Sequence, residues 1–242
     1  MVQLFLDRER EEGMYILLIC TVICTIILFW ICNTKFLGNG EIHDDVVSPV
    51  MKKIGDNEKV AKEILSYIGN STTKVEKNED EKIKASFYNG NTDKITIKNT
   101  SDLEECSRIV HIAHECIHSI QDKKLIKFHF IFSNIQILYF LGIFIYFFYN
   151  KDTSIRMPLL IIQLLIFVAT FFMKIVLESD ATYRGPQLAF SYLSDKVGKD
   201  EIKGFKDNVE EKLYKMVPAS YFGLYMQGAM LLIIAQVGAI FI

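Results

Sequence analysis

FHFIFSNIQILYFLGIFIYFFY (Phe128–Tyr149), NKDTSIR (Asn150–Arg156) and MPLLIIQLLIFVATFFMKIV (Met157–Val176) follow one another without a break, and LESDA (Leu177–Ala181) comes directly after them. A helix rises ~1.5 Å per residue and needs ~20 apolar residues to cross ~30 Å of hydrocarbon, so the two apolar pieces each have the length of one crossing. The short polar piece between them makes the pair a transmembrane hairpin. Whatever precedes Phe128 and whatever follows Val176 must then lie on the same side of the membrane.

Two further runs have the same character, Met14–Cys32 and Val217–Ile242. Across 242 residues the mean hydropathy is +0.22 with 50% hydrophobic residues, yet 23% are charged. Segregation into blocks reconciles these values: residues 14–32, 128–149, 157–176 and 217–242 take the apolar side chains. The charge goes to a tail (1–13) and two polar stretches (33–127 and 177–216). As buried helices of a soluble core, four such runs would leave too little amphipathic chain to cover them. The first and third runs are the cleanest. The second carries His129, Ser133, Asn134 and Gln136, and the fourth Pro218, Ser220 and Gln227, so those two are expected to pack against protein.

The first run is preceded by DREREEG (Asp7–Gly13), more acidic than basic, and no small-residue cleavage site follows Cys32, so it reads as a permanent anchor and not a signal peptide. Cys20, Cys24 and Cys32 belong to it, and only Cys106 and Cys116 lie in polar chain. No C-x-x-C pair exists, so neither a cysteine zinc knuckle nor a disulfide framework is supported. A formal charge of −2, with lysines interleaved among acids, gives no basis for nucleic-acid binding. Lys35, Lys123, Lys124, Lys127, Arg184 and six lysines between Lys196 and Lys215 would share one side of the membrane, against Arg8, Arg10, Lys151 and Arg156 on the other. The positive-inside rule places the polar stretches in the cytoplasm of a multi-pass cell-membrane protein.

Within residues 33–127 the chain opens as a linker around Gly38-Asn39-Gly40. Val60, Ala61, Ile64, Leu65 and Ile68 then recur at helical spacing and stop at Gly69-Asn70. Lys82–Tyr88 and Lys94–Lys98 are β-prone and flank a turn sequence, which predicts a hairpin. Ser101-Asp102-Leu103-Glu104 has the spacing of a capping box and starts a helix expected to reach about Gln121.

That helix contains His114-Glu115-Cys116-Ile117-His118, an H-E-x-x-H pattern. Residues four apart project from one helical face, so the two imidazoles can hold one Zn²⁺ while Glu115 stands beside it as a general base. The pattern also arises by chance, so its surroundings decide. A catalytic zinc needs a third protein ligand and an open position. A histidine six residues after His118 is absent, because Lys124 stands there. His129 lies at the membrane boundary, and Asp122 is poorly placed on the same helix. Glu178 fits better: about 20 residues up and 20 back cancel in height, which returns it to the level of the histidines. Ala181 and Gly185 keep one face of its helix small for close approach to the motif helix. Asp180 could accept the second ring N–H of a ligating histidine. Tyr88, His111, Tyr183 and Arg184 are further candidates for steadying an oxyanion, and the hairpin could offer a strand edge to an extended peptide.

Taken together, these residues resemble the bacterial neutral zinc metallopeptidase family, small multi-pass membrane proteins. The match runs from Gly55 to the C-terminus through the Val60–Leu65 helix, the Tyr88–Ile97 hairpin, His114-Glu115, His118 with Ser119-Ile120-Gln121-Asp122, two spans, and Leu177-Glu178-Ser179-Asp180-Ala181. The resemblance implies zinc at His114, His118 and Glu178 with Glu115 as the base. It also implies a mainly α membrane protein in which four transmembrane helices accompany a small α+β zincin-like domain, cutting a peptide or membrane-protein substrate at the bilayer. The family favours glycine and alanine where this chain has Ile117 and Ser119. Its arginine-rich continuation is here Thr182-Tyr183-Arg184-Gly185-Pro186, and Pro186 predicts an early end to the helix of Glu178. Two other readings stand beside the peptidase. One is a non-catalytic membrane scaffold with a structural zinc. The other is a metal carrier, which lacks the acids and histidines along the spans that transport uses.

Overall fold

The computed structural model describes residues 2–36, 54–78, 86–98, 107–150 and 152–242. The linker around Gly38, the Ser101–Glu104 capping box and the first part of the Lys82–Tyr88 stretch lie outside them. Helices dominate: α1 (Val2–Phe36), α2 (Asn57–Tyr67), α3 (Ser107–Ile120), α4 (Lys123–Tyr149), α5 (Arg156–Val197) and α6 (Lys199–Phe241). A small sheet contains β1 (Lys74–Asn78), β2 (Phe87–Asn89) and β3 (Lys94–Lys98) in the order β1-β3-β2. The chain divides into two compact units, one of Met1–Gly38, Phe128–Ile175 and Pro218–Ile242, the other of Asn39–Lys127 and Val176–Val217.

The first unit holds the oily chain. Among the described residues, four helices are long and apolar enough to cross a membrane: Glu12–Trp30, Lys123–Tyr149, Arg156–Val197 and Tyr221–Phe241. The segment expected as a tail is helical too, because α1 begins at Val2. Met14, Ile143, Phe147, Leu160, Ala235 and Ala239 form one apolar cluster, and Phe167, Ala229 and Leu232 another. Arg156 is buried and uses its guanidinium to cap helix ends, donating from Nη1 to the Ala239 carbonyl at 2.6 Å and from Nη2 to the Asn150 carbonyl at 3.2 Å. The fourth span is the most enclosed of the four, yet Gln227 on it is exposed, and the side chains of Pro218 and Ser220 lie outside the described ones. The second span buries Gln136, in line with the sequence expectation, but as a whole it is less enclosed than the third. The reason is local: Ser133 Oγ donates to the His129 carbonyl at 2.8 Å and Asn134 Nδ2 to the Phe130 carbonyl at 2.7 Å, so both side chains are satisfied on their own helix.

The second unit has its own core. Val60, Ala61, Ile64 and Leu65 of α2 pack with Ile95 and Ile97 of β3, with Ile109, Ile112, Ala113, Cys116 and Ile117 of α3, and with Ala181, Ala189 and Leu193 of α5. Asp56 caps α2 by accepting the Lys59 N–H at 2.9 Å, and Gly69 ends its C-terminal turn at φ +73°. The expected hairpin is present: β2 and β3 are antiparallel with Tyr88 opposite Ile95. β1, which the sequence reading did not assign, runs parallel to β3 with Val75 opposite Ile95. Pro186 does not stop α5, which continues to Val197. Leu188, Ala189, Phe190, Tyr192 and Leu193, all buried beyond the proline, bind that segment into the core. At ~1.5–3 kcal/mol for each large apolar side chain, this burial outweighs the ~3 kcal/mol that an internal proline costs a helix.

Candidate metal centre

On α3 the apolar residues Ile109, Ile112, Ala113, Cys116 and Ile117 face the core, which leaves His114, Glu115 and His118 at the edge of the buried face. His114 and His118 are one turn apart, with ring centroids 4.8 Å apart and planes nearly perpendicular. Their Nε2 atoms lie 3.1 Å from each other. Glu178 reaches the same point from α5, its Oε2 standing 3.3 Å from His114 Nε2 and 3.7 Å from His118 Nε2.

Close helix approach makes this possible. Ala181 is fully buried, and a Cβ placed on Gly185 would stand 3.0 Å from both the Cα and the N of His114. Any larger residue at 185 would hold α5 away from α3, and Glu178 with it. The small face expected from Ala181 and Gly185 is therefore the contact that brings the third donor in.

Two imidazole nitrogens and a carboxylate oxygen are a donor set for divalent transition-metal ions, zinc and iron(II) among them. Tetrahedral bonds of about 2.0–2.2 Å put neighbouring ligand atoms roughly 3.3–3.6 Å apart. The observed separations of 3.1, 3.3 and 3.7 Å scatter by a few tenths of an ångström about that range. His114, His118 and Glu178 could thus hold a metal ion, and among the described residues no other set of three His, Cys, Asp or Glu side chains converges in this way. Their side chains are 23%, 14% and 21% exposed, partly shielded but within reach of solvent.

Glu115 does not join the three donors. Its Oε2 accepts the Tyr88 N–H of β2 at 2.7 Å. Burial raises its pKa above the usual carboxylate range, against the pull of His114, His118 and the Tyr88 N–H; Glu178 adds to the rise. For His118, burial opposes the charged ring, but Glu178, Glu115 and Gln121 outweigh it and the pKa goes up. Tyr88 is anchored in turn: its hydroxyl donates to Asp93 Oδ1 at 2.8 Å, and Lys123 Nζ donates to the same oxygen at 2.8 Å. Thr73 Oγ donates to that oxygen as well, at 2.9 Å, and accepts from Asn70 Nδ2, which also donates to Ser119 Oγ at 2.8 Å.

Asp180 has a different place from the one expected. It accepts from Gln121 Nε2 at 2.9 Å and pairs with Arg184 at 3.1 Å, while Gln121 Oε1 is the group that meets His118 Nδ1, at 2.8 Å. The sequence pattern assigns Gln121 no role at the metal donors. Its position one turn after His118 was the available signal. Asp122 accepts from the Lys124 N–H, and His129 belongs to the other unit, where it meets Ser133. Of the suggested oxyanion groups, the Tyr88 hydroxyl and Arg184 have the partners just named, while Tyr183 and His111 are exposed. The strand-edge expectation also needs revision, since the Tyr88 N–H on the free edge of β2 is already given to Glu115.

No protein-family model, curated protein or solved structure matches this chain. Fold and site define a mostly helical chain with four candidate membrane spans and a His-His-Glu donor set.

Proposed function

We propose that the chain is a membrane-embedded zinc metallopeptidase, related to the neutral zinc metallopeptidases it resembles, with His114, His118 and Glu178 as ligands and Glu115 as general base. The observation that carries the reading is the convergence of three donors within 3.1–3.7 Å beside a carboxylate that is not one of them. His114, His118 and Glu178 would hold the zinc, and a zinc ion bound there would supply Lewis-acid chemistry for a peptide carbonyl and an attacking water.

The remaining work falls to the chain. Glu115 takes the proton from the attacking water and passes it to the departing amine nitrogen as the C–N bond breaks. The Tyr88 N–H fixes one carboxylate oxygen and leaves the other for this transfer. Burial strengthens the carboxylate as a base by raising its pKa. In this reading the substrate is a peptide or a membrane protein, and the lysines of the polar stretches favour a site on the cytoplasmic side of the cell membrane.

Glu115→Gln separates catalysis from a scaffold with structural zinc. Peptidase activity should fall by at least about 100-fold, the usual contribution of a general base, while zinc content stays at wild-type level. Full activity in Glu115→Gln removes the glutamate from the mechanism. A wild-type protein that binds zinc and cleaves no peptide in a membrane-protein and peptide panel supports the scaffold instead.

A further inference from the structure

We propose that Gln121 is the positioning residue of the metal centre, fixing with one amide both the proton on His118 and the turn of α5 that carries Glu178. The proposal rests on reading His114, His118 and Glu178 as metal ligands.

The Leu177 carbonyl can only accept, so the Gln121 atom 2.7 Å from it is the NH₂ nitrogen, whose second hydrogen goes to Asp180 Oδ2 at 2.9 Å. This orientation turns the amide oxygen towards His118 Nδ1 at 2.8 Å. An amide oxygen has no proton to give, so His118 Nδ1 must donate. A neutral ring protonated on Nδ1 presents an Nε2 lone pair, and that atom is the one facing His114 Nε2 and Glu178 Oε2. Leu177 and Asp180 bracket Glu178 in the chain, so the same NH₂ group holds the third ligand's turn on both sides. Gln121 is 9% exposed, and water cannot easily replace it. Asp180, paired with Arg184, is the far end of this relay.

Substitutions divide these functions. Gln121→Met keeps volume and removes every hydrogen bond. Gln121→Glu keeps an acceptor for His118, loses the donor to Leu177 and sets two carboxylates against each other. Adding Asp180→Asn to Gln121→Glu restores a donor–acceptor pair with its polarity reversed.

The test uses full-length protein in detergent with two readouts. One is zinc affinity by chelator competition. The other is the His118 tautomer by ¹⁵N NMR of the metal-free protein, at a pH where the ring is neutral. Wild type should carry the proton on Nδ1. Gln121→Met should lose that preference and bind zinc roughly 10–100-fold more weakly, the usual effect of removing a ligand's hydrogen-bond partner. Gln121→Glu should also bind more weakly and recover at least in part in the double variant. A wild-type proton on Nε2, or a Gln121→Met protein with unchanged zinc affinity, overturns the proposal. A double variant no better than Gln121→Glu removes Asp180 from it. If wild type binds no zinc, the metal reading fails, whereas the tautomer of the metal-free protein still decides the role of Gln121.

Discussion

At Gly185 a single hydrogen atom decides how near α5 comes to α3, because a methyl group there would press on the His114 backbone at 3.0 Å. Gly185→Ala should therefore destabilise the protein by ~1–3 kcal/mol in denaturation and weaken zinc binding together, as overpacking at a backbone contact does. A stable variant with wild-type zinc affinity would show that the approach is looser than described. Most of this site was legible in residues: H-E-x-x-H spacing put two imidazoles on one face, and hairpin length returned Glu178 to them. The bond to His118 was not. Asp180 and Gln121 both have reach and suitable atoms, and only the side-chain directions of two packed helices decide which one meets the ring. Ser119 is buried, donates to the Cys116 carbonyl at 2.6 Å and accepts from Asn70, so its hydroxyl has a partner in each role.

Among the elements, those with a clear apolar period were found, and those fixed by distant partners were not. α2 and the β2–β3 pair follow their patterns. β1 is Lys-Val-Glu-Lys-Asn, with one apolar residue and no alternation, and it exists through its ladder with β3 and the Lys94–Glu76 ion pair at 2.8 Å. α5 runs past Pro186 for the same kind of reason, since what lies beyond is buried. The hairpin that holds Glu115 through Tyr88 turns at Asp93, a non-glycine residue at φ +48°. Burial alone would raise the Asp93 pKa, but bonds from Lys123, Tyr88 and Thr73 outweigh it and hold the carboxyl below the usual carboxylate range. A lowered folded pKa adds stability above the unfolded value of ~3.9, and that stability is lost as pH falls through the folded value. Melting of wild type against Asp93→Asn should show a gap at pH 6–7, worth less than about 1 kcal/mol at this half-exposed site, that closes below pH ~4. A gap that widens on acidification would contradict the ion-pair account of the turn.

For the molecule as a whole, segregation of apolar and charged residues was the most legible feature, and four candidate spans follow from it. Periodicity does not reveal which polar side chains inside the spans find partners. Gln236 Nε2 donates to Thr21 Oγ at 3.1 Å, but Gln163 is fully buried and neither atom of its amide has a protein partner among the described residues. Gln163→Leu, of similar volume, should leave the fold intact and raise its stability by up to ~1–3 kcal/mol, the cost of an unpaired buried amide. A loss of stability would mean that the amide is used. In the second unit, residues far apart in sequence meet at Glu178, and the proposed function depends on whether His114, His118 and Glu178 hold a metal ion. The most direct test is the zinc content of purified wild type, His114→Ala and Glu178→Ala after dialysis against a weak chelator. The account predicts about one zinc per wild-type chain and a large loss in both variants. Zinc retained in full by Glu178→Ala, or none bound by wild type, would contradict it.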